Sequence, residues 1–341
     1  MAPTATRIRR RNGSTAARAR RGVGITLAAL GAGIVAAGAP AQPADRPYRI
    51  GVVTEAWAPN HPTVLGFRAG LRELGLEEGR EVAFEIRFTE GKPEATAAAA
   101  AALVKSGVDL LFSCSAAATR AAKVATPNLP IVFAQINDPV AAGVVGELAR
   151  PGGNLTGVSS IAPELAPKRV ELLKTLHPGV RRVWFIHSRD DASAAQALAR
   201  VREAAPRLGV VVVATEVAAV DDLQRLRREF RAGDALLAPD EDALDLPAGL
   251  LKLSLDARIP AIFASSFWVG YGGLVSYGPD YYAQGVQAAR LAAKILRGAR
   301  PGELPVEGSD AIDLAVNLRT AALLGITVPQ KILLRADTIR R

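Results

Sequence analysis

Residues 108–134 read VDLLFSCSAAATRAAKVATPNLPIVFA, and residues 233–264 read GDALLAPDEDALDLPAGLLKLSLDARIPAIFA. Each stretch opens on an aspartate followed by a short apolar run and closes on a proline followed by a second run that ends in Phe-Ala. Short continuous apolar runs bounded by turn residues read as strands buried on both faces. The Ala- and Leu-rich segment between each pair reads as a helix, so each stretch is a strand–helix–strand unit of a parallel sheet. Val108-Asp109-Leu110-Leu111-Phe112 aligns with Gly233-Asp234-Ala235-Leu236-Leu237, and Leu129-Pro130-Ile131-Val132-Phe133-Ala134 with Ile259-Pro260-Ala261-Ile262-Phe263-Ala264. The repetition predicts two sheets of one topology within one chain.

The same alternation extends on both sides. Upstream, residues 48–54 and 81–87 read as strands, the second alternating as an edge strand does, with helices over 63–74, 93–106 and 116–125. Between the two quoted stretches, helices are predicted over 165–176 and 192–208 and strands over 182–186 and 210–216. A further helix is expected over 223–232. Gly152-Gly153-Asn154 before 155–160, Gly272-Gly273 before 274–278, and residues 305–317 are extended segments where one half hands over to the other. They predict three hinge crossings, the arrangement that lets two lobes close. The fold expected is α/β, with two Rossmann-like lobes carrying parallel sheets. One lobe takes residues 48–157 and 279–304, the other 158–278 and 305–338.

The 341 residues exceed what one core usually organises, and suit two lobes. The net charge of +9 would suggest a nucleic-acid partner if it were clustered on a folded face. Seven of the nine charges are arginines within residues 1–41, which hold no acid, leaving +2 for the rest. A basic stretch ending at Arg20-Arg21, an uncharged run over 22–43, and Ala39-Pro40-Ala41 have the order of an export signal cut near Ala41. Such a signal places the mature protein in the periplasm. Cys114 is the sole cysteine, so no intrachain disulfide is possible.

Ligands of open α/β sheets bind beyond the carboxyl ends of the strands. That rule selects Glu55 and Trp57 after the first strand, and Ser113, Ser115 and Ala116 after the strand that opens at Asp109. It also selects Asn137, Asp138, His187, Asp240, Phe267 and Asp280. Ser115 and Ala116 open a helix, where N–H groups and the dipole attract a carboxylate, and Ser115 is equally suited to cap that helix. Asn137 adds donors, and Asp138 suits the turn into Pro139. Asp240 can pair with an ammonium group. Trp57, Phe267 and Trp268 offer stacking walls, with one of the three expected in the core instead. His187 contacts ligand or bonds its own loop, Asp280 caps a helix, and Cys114 packs. The three histidines lack metal-ligand spacing, and neither a Ser-nucleophile elbow nor a P-loop occurs.

The segments RAGLRELGLEEG (68–79), Asn137-Asp138-Pro139-Val140, ARPGGNLTG (149–157), APELAPKRVELL (162–173), GGLVSYGP (272–279) and KILRGARPGEL (294–304) carry a family resemblance. Over 48–338 the chain resembles the ABC transporter substrate-binding proteins of the tryptophan/tyrosine-type group, which have the type I periplasmic-binding fold. The resemblance implies a monomeric, non-enzymatic receptor with no obligatory cofactor, a small carboxylate-bearing ligand such as an amino acid, and a permease and ATPase as partners. Ser113-Cys114-Ser115-Ala116 and His187-Ser188-Arg189-Asp190-Asp191 depart from the Gly-Thr-Pro-like and Asn-Pro-like turns more usual there. A sensory receptor feeding a signalling protein, or an enzyme using Cys114 or His187, are the alternatives on the same scaffold.

Overall fold

The structure is a computed structural model that describes residues 46–55, 61–90, 92–189, 191, 193–239 and 245–341. In chain order the strands are β1 (Tyr48–Thr54), β2 (Val82–Phe88), β3 (Leu110–Cys114), β4 (Ile131–Ile136), β5 (Leu155–Ser159), β6 (Arg182–Ser188) and β7 (Val211–Val217). They continue with β8 (Asp234–Leu237), β9 (Ala261–Phe263), β10 (Val275–Pro279), β11 (Glu307–Gly308), β12 (Ile312–Asn317) and β13 (Thr338–Arg340). The helices are α1 (Pro62–Glu73), α2 (Pro93–Lys105), α3 (Ala116–Ala125), α4 (Ala162–Leu176), α5 (Ala194–Leu208) and α6 (Leu223–Leu226). They are followed by α7 (Asp245–Ala257), α8 (Ser266–Gly270), α9 (Tyr281–Leu296), α10 (Leu318–Leu323) and α11 (Gln330–Leu333).

Two mostly parallel sheets result. The first has the order β11-β5-β4-β3-β1-β2 and the second β13-β12-β10-β9-β8-β6-β7. The repeated stretches occupy matching places: β3 lies between β1 and β4, and β8 lies between β6 and β9. Runs such as Leu110–Cys114 are buried throughout, as strands covered on both faces must be. The alternating segment near residue 82 forms the edge strand β2.

The chain passes between the sheets three times, each time at the carboxyl edge of a strand. After β5 it continues through Ser160 and Ile161 into α4, which packs on the second sheet. After β10 it runs through Asp280 into α9, which packs on the first sheet. The third passage, 309–311, joins β11 to β12. Three details differ from the sequence expectation. Residues 307–308, expected in the second lobe, pair with β5 in the first sheet before the chain crosses. Strand β12 is antiparallel to β10, because a chain entering the second lobe from the crevice side must run away from the carboxyl edge. The helix expected over 223–232 stops at Leu226 and continues as a 3-10 turn.

Helix α9 closes the first lobe against α1 through glycines. A Cβ at Gly66 would fall 1.9 Å from the Tyr282 carbonyl oxygen, and one at Gly285 2.1 Å from that of Thr63. This near-backbone contact lets Ala288, Ala289 and Ala292 share a core with Ile50, Phe67 and Phe112. The Phe67 and Phe112 rings stack at 3.9 Å. In the second lobe Val183, Phe185, Leu237, Val275 and Leu314 form the corresponding core beneath α4 and α5.

Candidate functional site

Because all three crossings leave from carboxyl edges, those edges of the two sheets lie where the two lobes join. The first lobe contributes the ends of β1, β3 and β4. Ser115 sits at the β3–α3 junction with φ 104° and ψ 159°. That conformation is close to glycine-only, and it is tolerated where surrounding bonds hold it. Here the Ser115 hydroxyl donates to Glu55 Oε2 at 2.5 Å and accepts from the Ala118 N–H at 3.1 Å. The Ser115 N–H donates to the Ala134 carbonyl at 3.2 Å. Glu55, Ser115 and Ala116 are thereby brought together at the start of a ten-residue helix. A carboxylate beside a helix N-terminus can receive an ammonium group while the helix end receives an acid, which suits a zwitterion.

Backbone strain recurs along this edge. Gln135, next to a register shift in β4, has φ 59°, and Ile161, just after β5, has φ 47°. Three adjacent strands of one sheet therefore end in non-glycine residues in the left-handed region. Such clustering accompanies ligand sites and hinges.

Several residues selected from the sequence have other duties in the fold. Ser113 is fully buried, its hydroxyl bonded to that of Thr119 at 2.8 Å, so it braces the turn from beneath and does not line the crevice. Asp138 Oδ1 accepts the N–H groups of Val140 and Ala141, each at 3.0 Å, and fixes the turn around Pro139. Asp280 caps α9, accepting from Tyr282 and Ala283 at 2.8 and 3.1 Å. His187 Nδ1 lies 2.9 Å from the Ser188 carbonyl oxygen, holding its own loop. Cys114 is buried among the first-lobe core residues. Asn137 is half-buried after β4, and its carbonyl accepts from the Ser159 hydroxyl at 3.2 Å, tying it to the first crossing. Trp57 and Asp240 lie outside the described residues.

On the second lobe, Phe267 follows β9 and is 47% exposed. Trp268 turns inward against Phe263 at 6.2 Å, so of this adjacent pair one ring faces solvent and one the core. Phe267 also meets Tyr271 at 4.7 Å. Nearby, Asp313 at the start of β12 has a buried Oδ1 without a hydrogen-bond partner. Burial raises its pKa above the usual carboxylate value; a Ser266 hydrogen bond opposes this, and Asp337 and Asp280 reinforce it.

Residues missed in the sequence join the crossings. Gln284 is fully buried; its Nε2 donates to Ser160 Oγ at 3.2 Å, and its Oε1 accepts the Gln135 N–H at 3.2 Å. Gln287, one turn on, donates to the Gly308 carbonyl at 2.9 Å and accepts from the Asp310 N–H at 3.3 Å. One helix thus holds the first and third crossings with two amides. Two glutamines spaced i, i+3 on an otherwise Ala- and Leu-rich helix face were the available signal.

Two α/β lobes joined by three crossings, with polar residues along the carboxyl edges, are the architecture of a two-lobed solute-binding protein. Residues 59–340 match the family model of the ABC transporter substrate binding protein, and the chain belongs to that family, whose members are non-enzymatic. It is 27% identical over 277 residues to a tyrosine-binding protein of Clostridioides difficile (strain R20291), covering 81% of this chain and 78% of that one. It also resembles the structure of an ABC domain in complex with L-Trp from Streptococcus pneumonia. There the identity is 26% and the TM-score 0.78, over 86% of this chain and 100% of the other. A ligand-free, open substrate-binding protein with adhesive properties from Clostridium difficile matches at 25% identity and TM-score 0.68, over 86% and 99% of the two chains. No helix among the described residues is long and apolar enough to cross a membrane.

Proposed function

We propose that this chain is the exported receptor of an ABC importer, that it closes its two lobes on an amino acid with an aromatic side chain, and that it delivers this solute to a membrane permease. The observation that carries the reading is the strained Ser115 turn, which sets the Glu55 carboxylate at the mouth of α3. There an α-carboxylate meets the helix N-terminus while the ammonium group meets Glu55. Asn137 lies along the same edge, and Phe267 supplies an exposed ring from the opposite lobe. The aromatic preference draws support from the names of the two relatives described with tyrosine and L-Trp. Lobe closure stabilises the bound state through contacts that exist only when both lobes engage the ligand.

Export and the cut near Ala41 belong to the same proposal, resting on the arginine-rich start and the small residues at 39–41. Intact-mass measurement of protein recovered from the periplasm of an expressing bacterium is expected to give a chain that begins at Gln42 or within about two residues of it.

The direct test is calorimetric titration of the mature chain, after unfolding and refolding to strip carried ligand, with the twenty amino acids. Tyrosine, tryptophan or phenylalanine is expected to bind at about micromolar Kd, with aliphatic and acidic amino acids at least about tenfold weaker. Silence from all twenty would overturn the proposal.

A further inference from the structure

The second lobe holds a cavity of about 420 Å³ at the end opposite the crevice, among the amino-terminal ends of its strands. Four segments line it, and it is open to solvent: residues 230–234 before and at the start of β8, 257–260 before β9, His177 just after α4, and Leu324 and Ile326 after α10. This volume lies within the range of roughly 300–1,000 Å³ usual for small-molecule sites. The lining is apolar at Phe230, Ile259, Pro260, Leu324 and Ile326, and cationic at Arg231 and Arg258, both of which are exposed.

The charge at this cavity is unbalanced. Asp234, the carboxylate in the wall, is already engaged, since Arg182 binds it with two nitrogens at 2.7 Å and Trp184 Nε1 adds a bond at 2.9 Å. Asp256, adjacent to Ala257 of the lining, is held by Lys252 at 2.5 Å. Glu229 interacts electrostatically with Arg182. Neither the Arg231 nor the Arg258 guanidinium makes a hydrogen bond or ion pair among the described residues. Arg258 also occupies a left-handed position, φ 54°, one residue past the end of α7. The Ile259 N–H reaches back to the Ser254 carbonyl at 3.0 Å around it, the closure that glycine makes without strain. An arginine at a helix end complements the dipole, but the dipole does not require it at the strained position.

We propose that this cavity is a second binding site, separate from the crevice, for a small amphipathic anion: a phosphate monoester or carboxylate bearing an apolar group. Two planar guanidiniums grip the anionic head, each able to donate two parallel hydrogen bonds. The apolar wall accepts the rest of the molecule.

Phenyl phosphate and inorganic phosphate are the probes, titrated into the mature chain and followed by amide chemical shifts and calorimetry. Saturable binding of phenyl phosphate is expected at about millimolar Kd or tighter, with inorganic phosphate at least about threefold weaker for lack of the apolar contact. The shifts are expected at residues 230–234, 257–260 and 324–326. The double variant Arg231→Ala, Arg258→Gly removes both charges while giving residue 258 the amino acid its backbone favours, and is expected to weaken phenyl phosphate by about tenfold or more. Amino-acid titrations of the crevice, whatever their result, are expected to be the same in the variant as in the parent. Absence of saturation, shifts confined to residues 113–118 at the crevice, or unchanged affinity in a folded double variant would each overturn the site.

Discussion

Asp109 and Asp234 stand at matching places in the two lobes, each at the foot of the strand beside the lobe's first strand, and each is bound by arginine. Arg46 holds Asp109 with two nitrogens at 2.8 and 2.7 Å, and the Arg49 N–H adds a bond at 2.7 Å. Arg182 holds Asp234 in the same two-pronged way, the Arg231 N–H adding a bond at 2.9 Å. The surroundings differ: the Asp109 side chain is 27% exposed and its arginine partner 57%, whereas the Asp234 side chain is 1% exposed. Trp184 accounts for much of this, since its indole donates to Asp234 and its ring lies beneath Arg182. In both lobes burial pushes the carboxyl upward and the hydrogen bonds outweigh it, so each ends below its usual value. The comparison teaches that a duplicated motif keeps its geometry while its energetic weight follows its burial.

The largest effect is expected from Asp234→Ala, which leaves the Trp184 N–H unpaired and the half-buried Arg182 guanidinium with the Glu229 carbonyl as its remaining hydrogen-bond partner; urea unfolding should show a loss of about 3 kcal/mol. A loss below about 1 kcal/mol would mean that the indole contributes no real burial and that the two aspartates are equivalent.

Close to it in size is a pH effect confined to the first lobe. Burial pushes His61, at the start of α1, down to about 4 from an ordinary 6.5. A histidine whose folded value is depressed stabilises fully above its unfolded value and loses that contribution as pH falls toward the folded one. Between pH 6.5 and 4 the loss is therefore expected to reach about 3 kcal/mol, read from urea midpoints. His61→Phe should flatten that slope. The two aspartates act lower, their stabilisation being complete above pH about 4 and lost as pH falls through their depressed values. An unchanged slope in His61→Phe would assign the acid limb elsewhere.

Smaller still is the contrast at Ser115. Ser115→Ala retains the strained backbone and loses the cap, and should cost about 1 kcal/mol. Ser115→Gly loses the same bonds but relieves the strain, so its thermal midpoint should equal or exceed the parent's. Both should weaken the crevice ligand by about tenfold, because both release Glu55. A glycine variant less stable than the alanine variant would contradict the strain at this turn.

The smallest expected change is that of Asp109→Ala, below about 1 kcal/mol for a solvated pair. Combined with Asp234→Ala it should add to within about 0.5 kcal/mol, since the two lie in separate lobes.

The regular elements of both lobes were legible because buried parallel strands announce themselves as short apolar runs. The strand at Tyr48–Thr54 and the helix at Ala116–Ala125 have the bounds expected of them. Legibility fell where a residue's duty depends on partners remote in sequence. Ser113 and Ser115 are near neighbours, yet one hydroxyl faces the interior and the other Glu55, sixty residues away. The antiparallel course of β12 follows from the side on which the chain re-enters the lobe, which no local pattern encodes.

What the sequence determined by itself was periodicity: two sheets, a repeated unit, an arginine-rich first stretch and the family resemblance along the chain. These are readable because hydrophobic patterning and turn chemistry act over a few residues. Tertiary structure alone decided the strain at Ser115, Gln135 and Ile161, the glutamine ties across the crossings, and the unequal burial of two like aspartates. Each of these depends on which segments meet in space, and that is settled only when the lobes pack.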